Sequence, residues 1–242
     1  MFDRDLFARC AAPFGVEVTS ELADRLEVYA RLLVEWNQKM NLTAITDPVG
    51  IAVKHFADSL TVAPLLPAGE FTLIDVGTGA GFPGVPLALL RSDCHLTLLD
   101  SLNKRLVFLD AVCRETGLDA RFIHARAEEG GQRPDLREKY DVAVARAVAA
   151  MPVLCEYCLP FVRVGGRFLA LKGPDADRER AEAARGIGVL GGKVAEVSAF
   201  TLPREPMEGV EPMERRLIRV DKIRSTPPAY PRHGSKIAKK PL

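Results

Sequence analysis

Phe71-Thr-Leu-Ile-Asp75-Val-Gly77-Thr-Gly79-Ala-Gly81-Phe82-Pro-Gly84 runs from an apolar segment through an acid into a glycine-dense turn. A second apolar segment, Val85 to Leu90, follows. This pattern predicts a buried strand, a tight loop and a helix start, where backbone amides meet a nucleotide-like ligand. Glycine suits such a turn because a side chain would block close approach and because tight turns often need positive φ.

Two ligand registers fit the same glycines. Gly79, Gly81 and Gly84 satisfy G-x-G-x-x-G, the dinucleotide pattern, with Asp100 about 20 residues beyond. Gly77, Gly79 and Gly81, preceded by Asp75, satisfy the acidic-x-G-x-G-x-G pattern typical of S-adenosylmethionine enzymes. The first register begins four residues past Asp75, where the strand should already have turned, and it encloses Pro83. The second places the glycines in the turn itself and is favoured.

Around this unit, strands alternate with helices. Strands are expected at 71–76, 95–100, 121–125, 140–145, 166–171, 194–201 and 215–221, and helices at 82–91, 102–117, 149–162 and 175–187. Such alternation implies βαβ units and a mainly parallel sheet. Residues 202–214 are proline-rich and charged, without helical period, so they suit a hairpin connection and a reversed seventh strand. The fold class is therefore α/β, a Rossmann-like seven-stranded sheet with its last strand antiparallel. Upstream, Leu22, Leu26, Tyr29, Leu33, Trp36 and Met40 form one apolar stripe, which predicts a helix over 19–40 capped by Thr19 or Ser20. Asp47-Pro48 starts another helix. It is expected to turn Ile51, Phe56 and Leu60 inward and to leave Lys54, His55 and Asp58 elsewhere.

The organisation expected is a helical extension over 1–66, the sheet domain over 67–221 and a basic, flexible tail over 222–242. The tail carries Lys222, Arg224, Arg232, Lys236, Lys239 and Lys240 with no acid. Its prolines suggest an extended, mobile segment able to touch phosphates.

Composition sets outer limits. The chain has 242 residues, 48% of them hydrophobic, with net charge +1, so nucleic-acid affinity must come from local clustering. No apolar run reaches the ~18 residues of a membrane span. Five scattered cysteines point to a reducing cytoplasm rather than a disulfide framework. Cys155 and Cys158 form C-x-x-C, but no second such pair or His pair completes a site, so core cysteines and no metal are expected.

In an open parallel sheet the ligand lies beyond the carboxyl ends of the central strands. Asp100 closes the second strand, where a carboxylate can accept from ribose hydroxyls, and it can equally cap the next helix. Ala127 and Glu128 follow the third strand, where an amide and a carboxylate can read an adenine edge; a surface ion pair explains Glu128 as well. Arg146 ends the fourth strand and should meet an anion, in the cleft or on the protein itself. The chain lacks an Asn/Asp-Pro-Pro-aromatic motif and a Pro-Cys dipeptide, which argues against exocyclic amine and cytosine-carbon methylation. Oxygen atoms and ring nitrogens remain. A guanine N7 carries an in-plane lone pair and no proton, so positioning alone would suffice.

Trp36-Asn-Gln-Lys-Met-Asn-Leu-Thr43, Lys54-His-Phe-Ala-Asp-Ser59, Asp75 to Gly84 and Arg146-Ala147 together resemble the ribosomal RNA small subunit methyltransferase G family, also called glucose-inhibited division protein B. The resemblance covers most of the chain, including Lys239-Lys-Pro-Leu242. It implies a seven-stranded methyltransferase domain with an N-terminal helical extension. The activity implied is methyl transfer from S-adenosylmethionine to N7 of one guanosine of 16S rRNA, near the decoding site, in the small ribosomal subunit. Carried over by position, Gly77, Phe82, Ala127, Glu128 and Arg146 are the donor contacts, with Asp100 at the general ribose position. Lys39, Lys54, His55 and Lys172 are candidates for RNA contact, and a monomer is expected. Two other readings stand beside this one: a nicotinamide-dependent oxidoreductase using the Gly79/Gly81/Gly84 register, and a non-catalytic ribosome-associated binding protein.

Overall fold

The computed structural model describes residues 2–242. Seven strands, β1 (Phe71–Val76), β2 (Cys94–Asp100), β3 (Ala120–His124), β4 (Tyr140–Arg146), β5 (Val162–Lys172), β6 (Gly192–Leu202) and β7 (Met213–Lys222), form one sheet in the order β3-β2-β1-β4-β5-β7-β6. All neighbours pair in parallel except β7, which runs antiparallel to both β5 and β6. The reversed seventh strand is as expected from its loop connection. Chain order switches direction between β1 and β4, so the crossovers diverge there and leave a crevice at the carboxyl ends.

Strand alternation divides the core into two layers. Leu73 enters the layer that holds the N-terminal helices and those at Gly84–Leu90 and Asn103–Thr116. Ile74 and Val76 enter the other, against the helices Met151–Cys158 and Ala176–Val189. The glycine turn occupies 77–83, so the first crossover helix begins at Gly84, two residues later than predicted.

The helix Ser20–Met40 forms as its apolar stripe predicts, with the Thr19 hydroxyl accepting from the Leu22 amide at 3.2 Å. An additional helix, Arg4–Ala11, precedes it and packs Phe7 into the core. Asp47 caps the next helix, its carboxylate accepting from the Gly50 amide at 2.7 Å. Over Ile51–Ala57 this helix takes wider π-type turns. Ile51, Phe56 and Leu60 are buried as expected, and so are His55 and Asp58, which were not.

Residues 222–242 depart from the extended, mobile tail expected. A short helix forms at Gly234–Lys239, and Ile237 is fully buried. The Arg232 guanidinium grips the buried Glu156 carboxylate, with contacts at 2.7, 2.9 and 3.2 Å. Lys222 is also buried. Its Nζ donates to the carbonyls of Leu159 and Val162 and to the Thr226 hydroxyl, and it pairs with Glu138 at 3.1 Å. Burial pulls the Lys222 pKa down to about 8. No helix among the described residues is long and apolar enough to cross a membrane.

Candidate donor cavity and adjoining acceptor cavity

Asp75 is fully buried at the end of β1 and organises the turn from beneath. One carboxylate oxygen accepts from the Thr78 hydroxyl at 2.8 Å and from the Gly84 amide at 2.9 Å. Burial raises its pKa to about 6, partly offset by those two donors. Its other oxygen has no hydrogen-bond partner. Asp75 does not itself line the cavity; the backbone turn it supports does.

Gly77 and Gly81 hold φ of +70° and +98°, values that side chains strongly disfavour. The Gly77 and Thr78 amides donate to Leu99 at 2.9 and 3.1 Å, which ties the turn to the end of β2. Because Asp75 already holds the Gly84 amide, the helix start that a dinucleotide pyrophosphate needs is occupied. That geometry disfavours the Gly79/Gly81/Gly84 register.

Above the turn lies a cavity of about 420 Å³, and all six donor-site candidates line it: Gly77, Phe82, Asp100, Ala127, Glu128 and Arg146. Asp100, almost fully buried, accepts from the Gly79 amide at 2.9 Å and the Leu102 amide at 2.8 Å, with Arg105 at 3.3 Å. These contacts leave Asp100 spare acceptor capacity, since an ionised carboxylate has about four lone-pair sites. Ala127 and Glu128 open the short helix Ala127–Gly130 after β3, and Glu128 is only 9% exposed.

Phe82 forms the centre of an aromatic stack. The His55 ring lies parallel to it at 4.4 Å, the Tyr29 ring at 5.3 Å, and the Arg146 guanidinium sits 5.0 Å from its centroid. Tyr29 donates its hydroxyl to the Ala80 carbonyl, so the N-terminal helix reaches the donor turn directly. His55 bonds through Nε2 to the Thr43 hydroxyl at 2.9 Å, and Arg146 stands 3.4 Å from Nδ1. Burial, helped by the Arg146 charge, lowers the His55 pKa to about 4, so the ring is neutral at pH 7.

Arg146 finds its anion on the protein. It pairs with Asp58 at 2.8 Å and donates to the Lys54 carbonyl at 2.8 Å, while Arg215 approaches the other Asp58 oxygen at 2.8 Å. Asp58 and Arg215 were missed as site residues. Their partners lie 88 and 157 positions away, and no local spacing signals such a triad.

A second cavity of about 430 Å³ meets the first across His55, Arg146 and Ala147, and is lined further by Lys54, Asp58, Lys172 and Arg215. Ala147, at this junction, takes φ +56°, a left-handed conformation unusual for alanine. Among the RNA-contact candidates, Lys39 and Lys54 are exposed. The other two line the second cavity and have partners within the protein. His55 is buried in the stack, and Lys172 is engaged with Glu179 at 2.7 Å and the Ala149 carbonyl at 2.9 Å. A larger hollow, about 740 Å³, lies at the opposite, amino ends of the strands, beside Thr72, Cys94, Ala120 and Tyr140. It contains none of the candidates.

The five cysteines are buried, and among the described residues no cluster of His, Cys, Asp and Glu is placed to hold a metal.

A family model described as rRNA small subunit methyltransferase G matches residues 22–207. A ribosomal RNA small subunit methyltransferase G of Acetivibrio thermocellus is 47% identical over 240 residues, covering 99% of this chain and 96% of that protein. The protein of the same name from Lactobacillus johnsonii is 48% identical over 242 residues, covering 98% and 99%. A SAM-dependent O-methyltransferase from Thermotoga maritima superposes with a TM-score of 0.53 at 19% identity, covering 81% of this chain and 72% of that one, which supports the fold alone. With near-half identity sustained from end to end, and with the turn, strand order and donor cavity described above, the chain belongs to the ribosomal RNA small subunit methyltransferase G family.

Proposed function

We propose that the chain transfers a methyl group from S-adenosylmethionine to N7 of a guanosine in 16S rRNA. The observation that carries this reading is the pair of cavities sharing the His55–Arg146–Ala147 wall, one suited to the donor and one to the acceptor base.

The residues present fit the donor. Gly77 keeps a shallow cradle open, since a Cβ there would lie 2.9 Å from Val148. Asp100 presents a carboxylate to ribose hydroxyls, and Ala127 with Glu128 offers an amide donor and a carboxylate acceptor to an adenine edge. Phe82 supplies an apolar wall. When bound, S-adenosylmethionine supplies a sulfonium methyl carbon, whose S–C bond breaks as the bond to the acceptor nitrogen forms and whose positive charge passes to the purine.

The chain's own residues then have a positioning task. The neutral His55 has both ring nitrogens facing partners, Thr43 and Arg146, so it is not placed as a base. N7 has no proton to lose, and none is needed. Arg146, held rigidly by Asp58, the Lys54 carbonyl and Phe82, defines the boundary where base and methyl group meet. Exposed Lys54, at the rim of the second cavity, and Lys39 are suited to phosphate contact through charge.

The test is incubation with labelled S-adenosylmethionine and 16S rRNA or small subunits, followed by borohydride and aniline scission, which cuts at 7-methylguanosine. Label at a single scission site supports the reading. Label on a ribose oxygen or exocyclic amine, or tight nicotinamide binding without donor binding, overturns it.

A further inference from the structure

The far end of the donor cavity is built by Ala127–Gly130 and by Met151–Cys158, which contributes Tyr157, and the C-terminal segment fastens onto both helices. Arg137 donates to the Gly131 carbonyl at 3.0 Å and, with the same guanidinium, to the carbonyls of Tyr230 at 2.7 Å and Thr226 at 2.7 Å. Gln132 donates to the Pro231 carbonyl at 2.8 Å. Arg232 holds Glu156, the residue before Tyr157, by side chain and by its amide at 2.8 Å. The segment's cations Lys222 and Arg232 are therefore committed within the protein rather than presented to phosphates.

At the point of contact stands Gly234. A Cβ on it would overlap the Glu128 carboxylate oxygen and lie 3.0 Å from the carboxylate carbon. The obstructing atoms are the end of a flexible side chain, so a larger residue would turn Glu128 aside rather than unfold the segment.

We propose that residues 226–242 are a brace that sets the Glu128 carboxylate, with Gly234 as the positioning residue, so that the segment governs how tightly the donor's adenine amine is held. This rests on the donor reading above. Adenine presents an N–H donor where hypoxanthine presents a carbonyl, and a fixed carboxylate favours the first and repels the second.

The test is calorimetric titration of the full chain with S-adenosylhomocysteine and with its hypoxanthine counterpart. Gly234→Ala should raise the Kd for the adenine compound about tenfold, as expected for losing a hydrogen bond to a charged group, and leave that for the hypoxanthine compound, which the carboxylate repels, unchanged or lower. In a Glu128→Ala background, Gly234→Ala should add nothing. Ile237→Ala, which loosens the segment without adding an atom beside Glu128, is the second variant and should weaken adenine binding in the same selective way. Unchanged affinity, an equal loss for both compounds, or the same loss without Glu128 overturns the brace. An unsubstituted chain that binds neither compound is a different failure, since it removes the donor reading itself.

Discussion

Replacing Asp58 by asparagine removes the one carboxylate between two arginines. The Asp58 side chain is 3% exposed, and Arg146 and Arg215, at 14% and 24%, each contact it at 2.8 Å. The amide can accept from one guanidinium, but its NH₂ then faces the other, and two cations remain unneutralised at the cavity wall. Breaking a buried pair by removing one partner costs about 3–5 kcal/mol. Arg146 keeps the Lys54 carbonyl and the face of Phe82, so the low end, about 3 kcal/mol, is expected. For a chain of this size that is a fall in Tm of about 6–12 °C, read by thermal melts and checked by urea midpoints at constant m. Adding Arg215→Met should restore about 1 kcal/mol by removing the surplus charge. A melt within about 2 °C of the parent, or an Arg215→Met effect of equal size with and without Asp58, refutes the triad as a coupled unit.

Gly77→Val should weaken S-adenosylmethionine at least about a hundredfold in titration, while left-handed strain of about 1–2 kcal/mol lowers Tm by only about 2–8 °C; unchanged affinity removes the turn from the site. Asp75 and His55 should pull stability in opposite directions on acidification. The Asp75 pKa rises from 3.8 to about 6 on folding, so its contribution is present at low pH and is lost as pH climbs through that window. That of His55 falls from 6.5 to about 4, so its contribution is present above 6.5 and is lost as pH drops toward 4. Each amounts to about 3 kcal/mol, so His55→Phe should become progressively more stable relative to the parent between pH 6.5 and 4 in urea titrations; parallel profiles would contradict this. All five cysteines are buried, and burial pushes the Cys155 thiol up to about 12, so the native chain should show no fast-reacting thiol toward a disulfide reagent. A rapid burst of one or more equivalents would disprove it.

The sheet was legible because its signals are local. Apolar runs bounded by Asp75, Asp100 and Arg146 mark where β1, β2 and β4 end, and the proline-rich 202–214 stretch marks the reversal of β7. Asp100, Arg146 and the Ala127–Glu128 pair of the candidate cavity follow from strand ends, whereas Phe82 came only from the family resemblance. His55 and Asp58 were misplaced because the face assignment assumed one exposed side, whereas every residue from Gly50 to Val62 except Lys54 is buried. The tail was misread for a different reason. Its positive charges looked solvated, and only the fold brings Glu156 and Glu138 to meet them. Arg146 presents both problems at once, since its anion lies on an element whose facing could not be inferred.

The aromatic stack on Phe82 has an architectural consequence. Its three rings come from positions 29, 55 and 82, so the sandwich straddles the seam at which a minimal catalytic fragment would be cut. A truncated version starting at residue 67 would keep every strand yet leave Phe82 without either flanking ring. Chimeras that exchange the leading helices between homologues would have to carry matched rings across the join, because the front of the molecule and its donor turn are shaped as one piece.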